Sequence, residues 1–349
     1  LILTTLSKMN SRNVQIRARK YVLTKYYNGE PKESDFEIVE EELGELNENE
    51  ILVQALYYSI DPYMRAHMHL HKLPIDMIGR QLAKVIDSRH NAYPIGCYVV
   101  DSFGWRSHTI TNPNVPYPKG DGLPLVRVPD VSPHPLSISL GILDVPGYTA
   151  HFGITEICKP KAGETIVITG AAGAVGSHAG QIAKILGCKV IGFAGSAKKC
   201  EYLVNELGFD HAFNYKDADI IEALMSVAPN GVDCYFDNVG GDLSYKIMRQ
   251  MKRNGRVAVC GSISTYNSVE PAKGSVLQPI IAYKELTLKG FLVYRWADRF
   301  ENSTNTTLKW VNEGKLKYKE EIYYGFENMV KALNSILRGE NIGKAIVKA

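Results

Sequence analysis

One segment near the middle of the 349-residue chain limits the choice of fold more than any other. An apolar, β-branched run, 165–169, leads into a turn of small residues, and an amphipathic stretch follows at once. In that stretch apolar residues recur at helical spacing until Gly187, where a helix would end. The pattern predicts a strand, a tight turn and a helix over 175–186. Such a turn directs the first N–H groups of the helix at one point, where a phosphate group binds well.

The turn and the strand after it indicate a dinucleotide site. The turn reads Ala-Ala-Gly-Ala-Val-Gly, with Ala171 where the binding motif usually has its first glycine, and by itself it fits any tight strand-to-helix connection. A second apolar run, 189–194, ends about 20 residues later, where an NAD site carries an acidic residue for the ribose. Here the chain has Gly-Ser-Ala-Lys-Lys, with Ser196 and Lys199 and no acid. A hydroxyl and a cation suit a 2′-phosphate, which predicts NADPH; the alternative is the basic first turn of a solvated helix.

Length and composition agree with an enzyme of two domains, since 349 residues exceed the size at which one core keeps growing. Apolar residues make up 45% and charged residues 22%, as in ordinary globular proteins, and a net charge of +3 gives no basis for nucleic-acid binding. No apolar run reaches the roughly 18 residues of a membrane span. We expect residues 1–8 to be a flexible leader, with Met9 as a candidate natural start. Six scattered cysteines predict reduced thiols and a cytoplasmic location.

The pattern of the chain changes twice, and we expect an α/β fold. Residues 1–142 carry short alternating runs separated by prolines, which predicts a β-rich substrate domain. Residues 143–319 alternate strands and helices, which predicts a doubly wound parallel sheet of the Rossmann type, and 320–349 return to short strand-like pieces that rejoin the first domain. The predicted strands of the middle part are 165–169, 189–194, 211–215, 232–237, 256–260 and 286–293, and its predicted helices are 175–186, 197–207, 217–227 and 242–252.

Two further strand ends carry candidate site residues. Asn238 follows a buried strand that ends at a Gly-Gly turn, and the loop 260–266 follows the next strand. Because the carboxyl ends of parallel strands line one crevice, we expect both to face the same cofactor. Taken singly, each is better explained as a turn residue. Together with the glycine turn, they indicate a cofactor site.

Several longer stretches resemble the zinc-free branch of the medium-chain dehydrogenase/reductase family. They are Ile-Asp-Pro-Tyr-Met-Arg at 60–65, Ala-Ala-Gly-Ala-Val-Gly-Ser at 171–177, Tyr-Phe-Asp-Asn-Val-Gly-Gly at 235–241, Cys-Gly-Ser-Ile-Ser-Thr-Tyr-Asn at 260–267, Val-Tyr-Arg-Trp at 293–296 and Gly-Phe-Glu-Asn-Met at 325–329. The resemblance implies a GroES-like substrate domain built from both termini around the Rossmann domain, and a homodimer. It also implies a set of NADPH contacts. With Ser196 added from its place beside Lys199, these contacts are Gly173, Ala174, Val175, Gly176, Ser196, Lys199, Tyr215, Asn238, Cys260, Gly261, Ser262, Ile263, Ser264, Thr265, Tyr266, Phe291, Leu292, Val293 and Asn341.

The activity that the resemblance implies is NADPH-dependent reduction of the C=C bond of α,β-unsaturated ketones and aldehydes. This is the 15-oxoprostaglandin 13-reductase or 2-alkenal reductase type, acting on lipid-derived enones or enals, with NADP-linked oxidation of a leukotriene 12-hydroxyl as a second activity. Such chemistry needs a hydroxyl near the substrate oxygen, and we expect Tyr266 to be that catalytic donor. The alternatives are that Tyr266 only lines the cofactor pocket, that the chain is a zinc-free quinone reductase, or that it binds the cofactor without turnover.

The sequence predicts no metal site. The run 78–81, Ile-Gly-Arg-Gln, and the Asp-Pro-Tyr at 61–63 lack the Cys and His donors of a catalytic zinc. His67 and His71 would share a face if helical, although a solvated helix without metal explains them better. On the substrate side, the aromatic and sulfur side chains and two arginines are candidate contacts that suit structural roles equally well: Tyr57, Tyr58, Tyr63, Met64, Arg65 and Arg295. A dimer contact through the strand 286–293 is expected from the resemblance alone.

Overall fold

The computed structural model describes residues 16–118, 120–271 and 273–349. The expected leader, 1–8, and Met9 lie outside the described residues. No helix in the described part of the chain is both long and apolar enough to cross a bilayer.

The N-terminal part forms short antiparallel strands, as the alternating runs and prolines predict. In the middle of β5, Ala83 and Val85 are fully buried, whereas Lys84 and Ile86 on the opposite face are only partly buried. These strands form a three-stranded sheet, in the order β2-β1-β4, and most of a seven-stranded sheet. They are β1 Arg17–Leu23, β2 Phe36–Glu42, β3 Ile51–Ser59, β4 Ile75–Asp76, β5 Gln81–Ser88, β6 Tyr98–Asp101, β7 His108–Thr111 and β8 Val126–Arg127.

The middle of the chain forms a six-stranded parallel sheet in the order β11-β10-β9-β12-β13-β14. Its side chains alternate between two cores: Ile166 and Ile168 lie in one, and Val167 lies in the other. The sheet is therefore covered on both faces, and the predicted α/β class, a doubly wound parallel sheet with a β-rich part, is confirmed. Its strands are β9 Thr165–Thr169, β10 Lys189–Ala194, β11 His211–Asn214, β12 Val232–Asp237, β13 Met251–Val259 and β14 Thr287–Gly290.

The C-terminal residues join the first part of the chain. In the seven-stranded sheet, β15 Glu320–Tyr324 pairs with β16 Lys344–Lys348, and β16 pairs with β3. Just before β16, the N–H of Gly343 donates to the carbonyl oxygen of Ala172 in the glycine turn, at 2.7 Å. The tail thus connects the two sheets. This pairing supports the division of the chain after 142 and before 320, which we keep as a proposal.

The helices are where sequence and structure differ most. Between the predicted strand pieces of the tail the chain forms a helix. Val330, Leu333 and Ile336 recur at helical spacing and form its buried face. The predicted helix 197–207 is an α-helical turn followed by a π-helical one, Tyr202–Glu206. The helices are α1 Tyr63–Ala66, α2 Val145–Phe152, α3 Ala174–Ile185, α4 Ala197–Glu201, α5 Ile220–Val227, α6 Gly241–Arg249, α7 Gln278–Lys284, α8 Phe300–Asn312 and α9 Met329–Leu337.

Two strand predictions were wrong in extent. β13 begins at Met251 instead of 256, and its polar first half, with Asn254 at a φ of 64°, concealed the pairing of Met251 with Val232. β14 ends at Gly290 instead of 293, and the chain then turns into a 3₁₀ helix, Val293–Arg299.

A buried histidine on α3 gives the fold a specific pH dependence. His178 is 3% exposed, and burial lowers its pKa to about 3. In the unfolded chain this imidazole takes up a proton below pH 6.5, whereas in the folded chain it stays neutral. The free energy of unfolding should therefore fall by up to about 1.4 kcal/mol for each pH unit below 6.5.

Urea unfolding of the wild type and of His178→Gln at pH 7.5, 6.5 and 5.5 measures this effect. The variant removes the titrating group, so its free energy of unfolding should fall less steeply between pH 6.5 and 5.5. Equal slopes in the two proteins would contradict the assignment to His178.

Candidate active site

The glycine turn after β9 is built to receive an anion. Gly170 has a φ of +58°, so it takes the left-handed position of the turn, and the neighbouring Ala171 is fully buried. Gly173 is the N-cap of α3, and the N–H groups of the first turn have no partner inside the helix. Their partial positive charge and the helix dipole favour a phosphate at this point.

Gly176 is required by close packing of α3 on the turn. A Cβ atom there would lie 2.4 Å from the carbonyl oxygen of Gly170 and 2.8 Å from the Cα of Ala171. Gly176→Ala should therefore push the helix off the turn, and we expect a loss of about 1–3 kcal/mol in the free energy of unfolding together with weaker NADPH binding. Urea unfolding and calorimetric titration measure the two effects.

The matched control is Gly44→Ala, because a Cβ at Gly44 meets nothing within 4 Å. It should leave both the free energy of unfolding and the dissociation constant for NADPH as in the wild type. A Gly176→Ala protein as stable as this control would show that the turn tolerates the extra atom.

The turn opens into a cavity of about 600 Å³ between the parallel sheet and the β-rich part. Its lining combines the glycine turn, the ends of β10, β12 and β13, the segment 291–294, the tail 336–345 and residues 60–63. Most of the predicted cofactor residues meet here: Gly173, Ala174, Val175, Gly176, Lys199, Tyr215, Asn238, Cys260, Gly261, Ile263, Ser264, Tyr266, Phe291, Leu292, Val293 and Asn341. The other three, Ser196, Ser262 and Thr265, are not among the lining residues.

Lys199 is a buried cation in the wall of the cavity. It is 9% exposed, and its Nζ donates to the carbonyl oxygen of Gly339, just beyond α9, at 2.7 Å. Burial lowers the pKa of this ammonium group, so an anion beside it would favour its charged form. Ser196 acts behind it: its hydroxyl is the N-cap of α4 and accepts from the N–H of Lys199. Of the two residues predicted to bind a 2′-phosphate, Lys199 is therefore a cation in the cavity wall, whereas Ser196 caps helix α4.

A buried carboxylate holds the two strand-end loops together, and the sequence analysis did not identify it. Asp237 accepts from the N–H groups of Val239 and Gly240, at 3.0 and 2.9 Å, and from the Ser244 hydroxyl. Its carbonyl oxygen accepts from the N–H of Cys260 at 2.8 Å. Asn238 lies beside it, and its amide donates to the carbonyl oxygen of Thr169 at 2.7 Å. The ends of β9, β12 and β13 are thereby fixed around one edge of the cavity.

Tyr266 lies at the end of a 3₁₀ turn, Ile263–Thr265, and its side chain reaches the cavity. Its hydroxyl oxygen accepts from the N–H of Ser262 at 3.2 Å. Burial raises the pKa of this hydroxyl, so it is protonated at neutral pH and retains its own proton to donate. The hydroxyl of Thr265 donates to the carbonyl oxygen of Ser262 at 2.9 Å, so these two residues form the loop itself.

The opposite wall comes from the β-rich part. Lys344 is 2% exposed, and its Nζ donates to Asp61 Oδ1 at 2.7 Å and to the carbonyl oxygen of Ile60 at 2.6 Å. This buried ion pair fixes the turn that carries Tyr63, whose pKa burial raises well above its usual range. Burial also raises the pKa of the neighbouring Tyr294 to about 12, so both phenols stay neutral. Asp61 belongs to the sequence motif at 60–65, but no sequence pattern indicated that Lys344 would be its partner.

Most of the other candidate substrate residues lie away from the cavity. Tyr58 and Met64 are almost fully buried in the core of the β-rich part, which favours their structural interpretation. Arg295 stacks on Trp296 at 5.1 Å, and Arg65 donates to the carbonyl oxygen of Gly29; neither lines the cavity. Tyr57, likewise, is not among the lining residues, whereas Tyr63 is.

The donors present do not fit a zinc ion. Helix α1 ends at Ala66, so His67 and His71 are not in one continuous α-helix. Arg80 is engaged by Asp144 at 2.7 Å and by Asp121 at 3.4 Å. In the part of the chain that the structure describes, no three His, Cys, Asp or Glu side chains come together as a metal site would require.

Comparison with known proteins places this geometry in a family. Residues 19–116 match the family described as "N-terminal domain of oxidoreductase", and residues 174–312 match "Zinc-binding dehydrogenase". Prostaglandin reductase 1 of Bos taurus is 46% identical over 336 residues, covering 96% of this chain and all of that protein. The chain belongs to the medium-chain dehydrogenase/reductase family. The resemblance that the sequence motifs indicated is confirmed.

Two more members of the medium-chain family are close to this chain. The 2-alkenal reductase (NADP(+)-dependent) of Nicotiana tabacum is 37% identical, covering 95% of this chain and 98% of that protein. The crystal structure of CurA from Vibrio vulnificus in complex with NADPH has a TM-score of 0.86 and 32% identity, and the match covers 95% of this chain and 99% of that one. The chain is therefore similar in sequence to both relatives and similar in fold to CurA.

Proposed function

We propose that the protein reduces the C=C bond of α,β-unsaturated aldehydes and ketones with NADPH. The proposal rests on one observation. A turn suited to anion binding, a buried lysine and a protonated tyrosine hydroxyl all line the same cavity. The likeness to prostaglandin reductase 1 and to a 2-alkenal reductase supports it.

The residues present fit the coenzyme. The first turn of α3 would hold the pyrophosphate, since Gly176 permits the close approach of helix and turn. Lys199 would hold the 2′-phosphate, and Tyr215 and Asn341 also line the cavity. The loop 260–266 and the segment 291–293 would border the nicotinamide. When bound, the coenzyme supplies a hydride from nicotinamide C4 to the β-carbon of the substrate.

The chain has to stabilise the charge that grows on the carbonyl oxygen of the substrate as an enolate forms. A neutral phenol serves this purpose, and Tyr266 donates its O–H to that oxygen while the N–H of Ser262 holds the phenol in place. Phe291 and Val293, in the wall of the cavity, limit access of water to the reacting carbons. A proton from solvent then reaches the α-carbon, with Tyr266 as the relay. Apart from the coenzyme, this chemistry needs no further redox group.

The substrate class that the cavity suits best is a lipid-derived enal or enone. The lining is mainly apolar near the segments 145–149 and 291–294, where an alkyl chain would lie. The proposed leukotriene 12-hydroxyl activity is a different hydride transfer at the same site: with NADP⁺ bound, the carbinol carbon of an allylic alcohol would give up a hydride to the coenzyme. The hydroxyl proton would leave to solvent through Tyr266, and the carbonyl compound would be the product. Free cysteines throughout the described residues support the proposed cytoplasmic location.

We also propose that the protein is a homodimer joined through β14. This strand is at the edge of the parallel sheet, and Tyr283 and Leu292 beside it are 86% and 62% exposed. An open edge flanked by apolar side chains is suited to pairing with a second copy of the chain. Sedimentation velocity at micromolar concentration should show a dimer, and a monomer at that concentration would contradict the proposal.

Stopped-flow and steady-state oxidation of NADPH with a panel of 2-alkenals, enones and quinones tests the proposed activity. We expect turnover with the alkenals and enones, and a saturated carbonyl compound as the product. Turnover with quinones alone would assign the protein to the alternative, a zinc-free quinone reductase.

A further inference from the structure

Three distant segments meet at one arginine beside the cavity. Arg65 lies on α1, and its Nε is 3.2 Å from Oδ1 of Asn267, to which it donates. The same guanidinium donates to the carbonyl oxygen of Gly29 from Nε and Nη2, at 3.1 and 3.0 Å. Its carbon lies 5.1 Å from the ring centre of Tyr27. Arg65 therefore joins the turn 27–29, the helix that begins at Tyr63, and the loop that follows Tyr266.

The position of this contact matters because it links the two parts of the molecule that line the cavity. Asn267 directly follows Tyr266 in the loop of the parallel-sheet part, whereas Arg65 is two residues after Tyr63 in the β-rich part. Tyr63 and Tyr266 both line the cavity, one from each part. A planar guanidinium with a fixed fork of donors holds two acceptors in one orientation, which a flexible ammonium group cannot do.

The turn 27–29 also lies near the loop of Asn267. Gly29 has a φ of +78°, and a Cβ there would lie 3.9 Å from Cγ2 of Val269. The turn that accepts from Arg65 is therefore close to the segment that follows Asn267. Arg65 does not line the cavity, so it has no direct contact with coenzyme or substrate in the proposed mechanism.

We propose that Arg65 is a positioning residue that sets the place of the Tyr266 hydroxyl through Asn267. This inference rests on the proposed role of Tyr266 as the donor to the substrate oxygen. With the link intact, the phenol stands at a fixed distance from the wall that carries Tyr63. Without it, the loop moves independently of the β-rich part, and the phenol no longer meets the developing negative charge at hydrogen-bonding distance.

The test is a mutational cycle in single-turnover reduction of an enone. Arg65→Ala and Asn267→Ala should each lower the rate of hydride transfer by about ten- to a hundred-fold, since a displacement of about 1 Å has effects of this size. The double variant should be no slower than the slower single one, because both remove the same link. The dissociation constant for NADPH should stay within about two-fold of the wild type, because neither residue lines the cavity.

The decisive arm of the cycle is the Tyr266→Phe background. There, Arg65→Ala should cause no further loss of rate, since the group that it positions is already gone. An equal loss in both backgrounds would contradict the proposal, and so would an unchanged rate in Arg65→Ala alone. The proposed function is tested separately: Tyr266→Phe alone reports on the oxyanion donor, and turnover of the wild type on the enone panel reports on the activity.

Two further variants separate positioning from stability. Asn267→Asp keeps the Oδ1 acceptor and should restore a rate close to that of the wild type, which a purely structural loss of the side chain would not predict. Arg299→Ala is the matched control, because Arg299 also pairs with an acceptor, Glu156 at 2.6 Å, and also stacks on a ring, Phe152, but away from the cavity. It should change thermal stability without changing the rate of hydride transfer.

Discussion

Replacing Tyr266 by phenylalanine should slow hydride transfer to an enone by about a hundred- to a thousand-fold. The phenol lines the cavity, and burial raises its pKa, so it keeps its proton at neutral pH. The Ser264 hydroxyl of the same loop instead donates to the carbonyl oxygen of Val239. Loss of a single donor to a developing oxyanion costs about 2.7–4 kcal/mol in the chemical step. Stopped-flow measurement of single-turnover NADPH oxidation gives the rate, and fluorescence titration should show NADPH binding within about three-fold of the wild type.

The control for this substitution is Tyr324→Phe, which removes the same hydroxyl from a side chain that is 68% exposed on β15. It should react at the wild-type rate. If Tyr266→Phe also reacted at that rate, Tyr266 would be a wall of the cavity and not a donor, and the hydroxyl would have to come from elsewhere.

Replacing Lys199 by methionine should remove most of the enzyme's preference for NADPH over NADH. The ammonium group is nearly buried, and it donates to the carbonyl oxygen of Gly339. A charge-assisted hydrogen bond to a phosphate contributes about 1.5–3 kcal/mol, so the Michaelis constant for NADPH should rise by about ten- to a hundred-fold. NADH lacks the 2′-phosphate, so its Michaelis constant should hardly change.

Lys198→Met is the matched control, because Lys198 is the exposed neighbour of Lys199 on the same helix. Its kinetics with both coenzymes should be those of the wild type. Equal increases of the Michaelis constants for NADPH and NADH in Lys199→Met would show that the lysine supports the fold of the pocket instead of reading the phosphate.

The sequence predicted those parts of the site that depend on local pattern. The glycine turn, Asn238 and the loop 260–266 each follow a strand, and in a parallel sheet those strand ends meet at one edge. The structure brings them together around one cavity. The roles of these residues toward NADPH and substrate remain proposals that the variants above test.

The parts that could not be predicted depend on contacts between distant segments. Lys344 and Asp61 are 283 residues apart, and Arg65 and Asn267 are 202 apart. Each residue alone has an ordinary sequence context, and only the return of β16 to β3 brings the first pair together. Ser196 shows the opposite case: a residue type that suits a phosphate is used to cap a helix.

Some local structure was missed although its signal was present. The apolar residues of α9 recur at helical spacing, but the helix lies between two short strands, and the whole tail was interpreted as strands. By contrast, Lys252 and Arg253 gave β13 a polar beginning that no periodicity would identify. Pairing with β12 extends this strand, so the tertiary contact decides its length.

The transfer of deuterium from NADPH labelled at both C4 positions to a 2-alkenal tests the central claim most directly. Mass spectrometry and NMR of the product should show one deuterium on the β-carbon of a saturated aldehyde. Deuterium on the carbonyl carbon of an unsaturated alcohol, or no transfer to the alkenal while a quinone is reduced, would contradict the account.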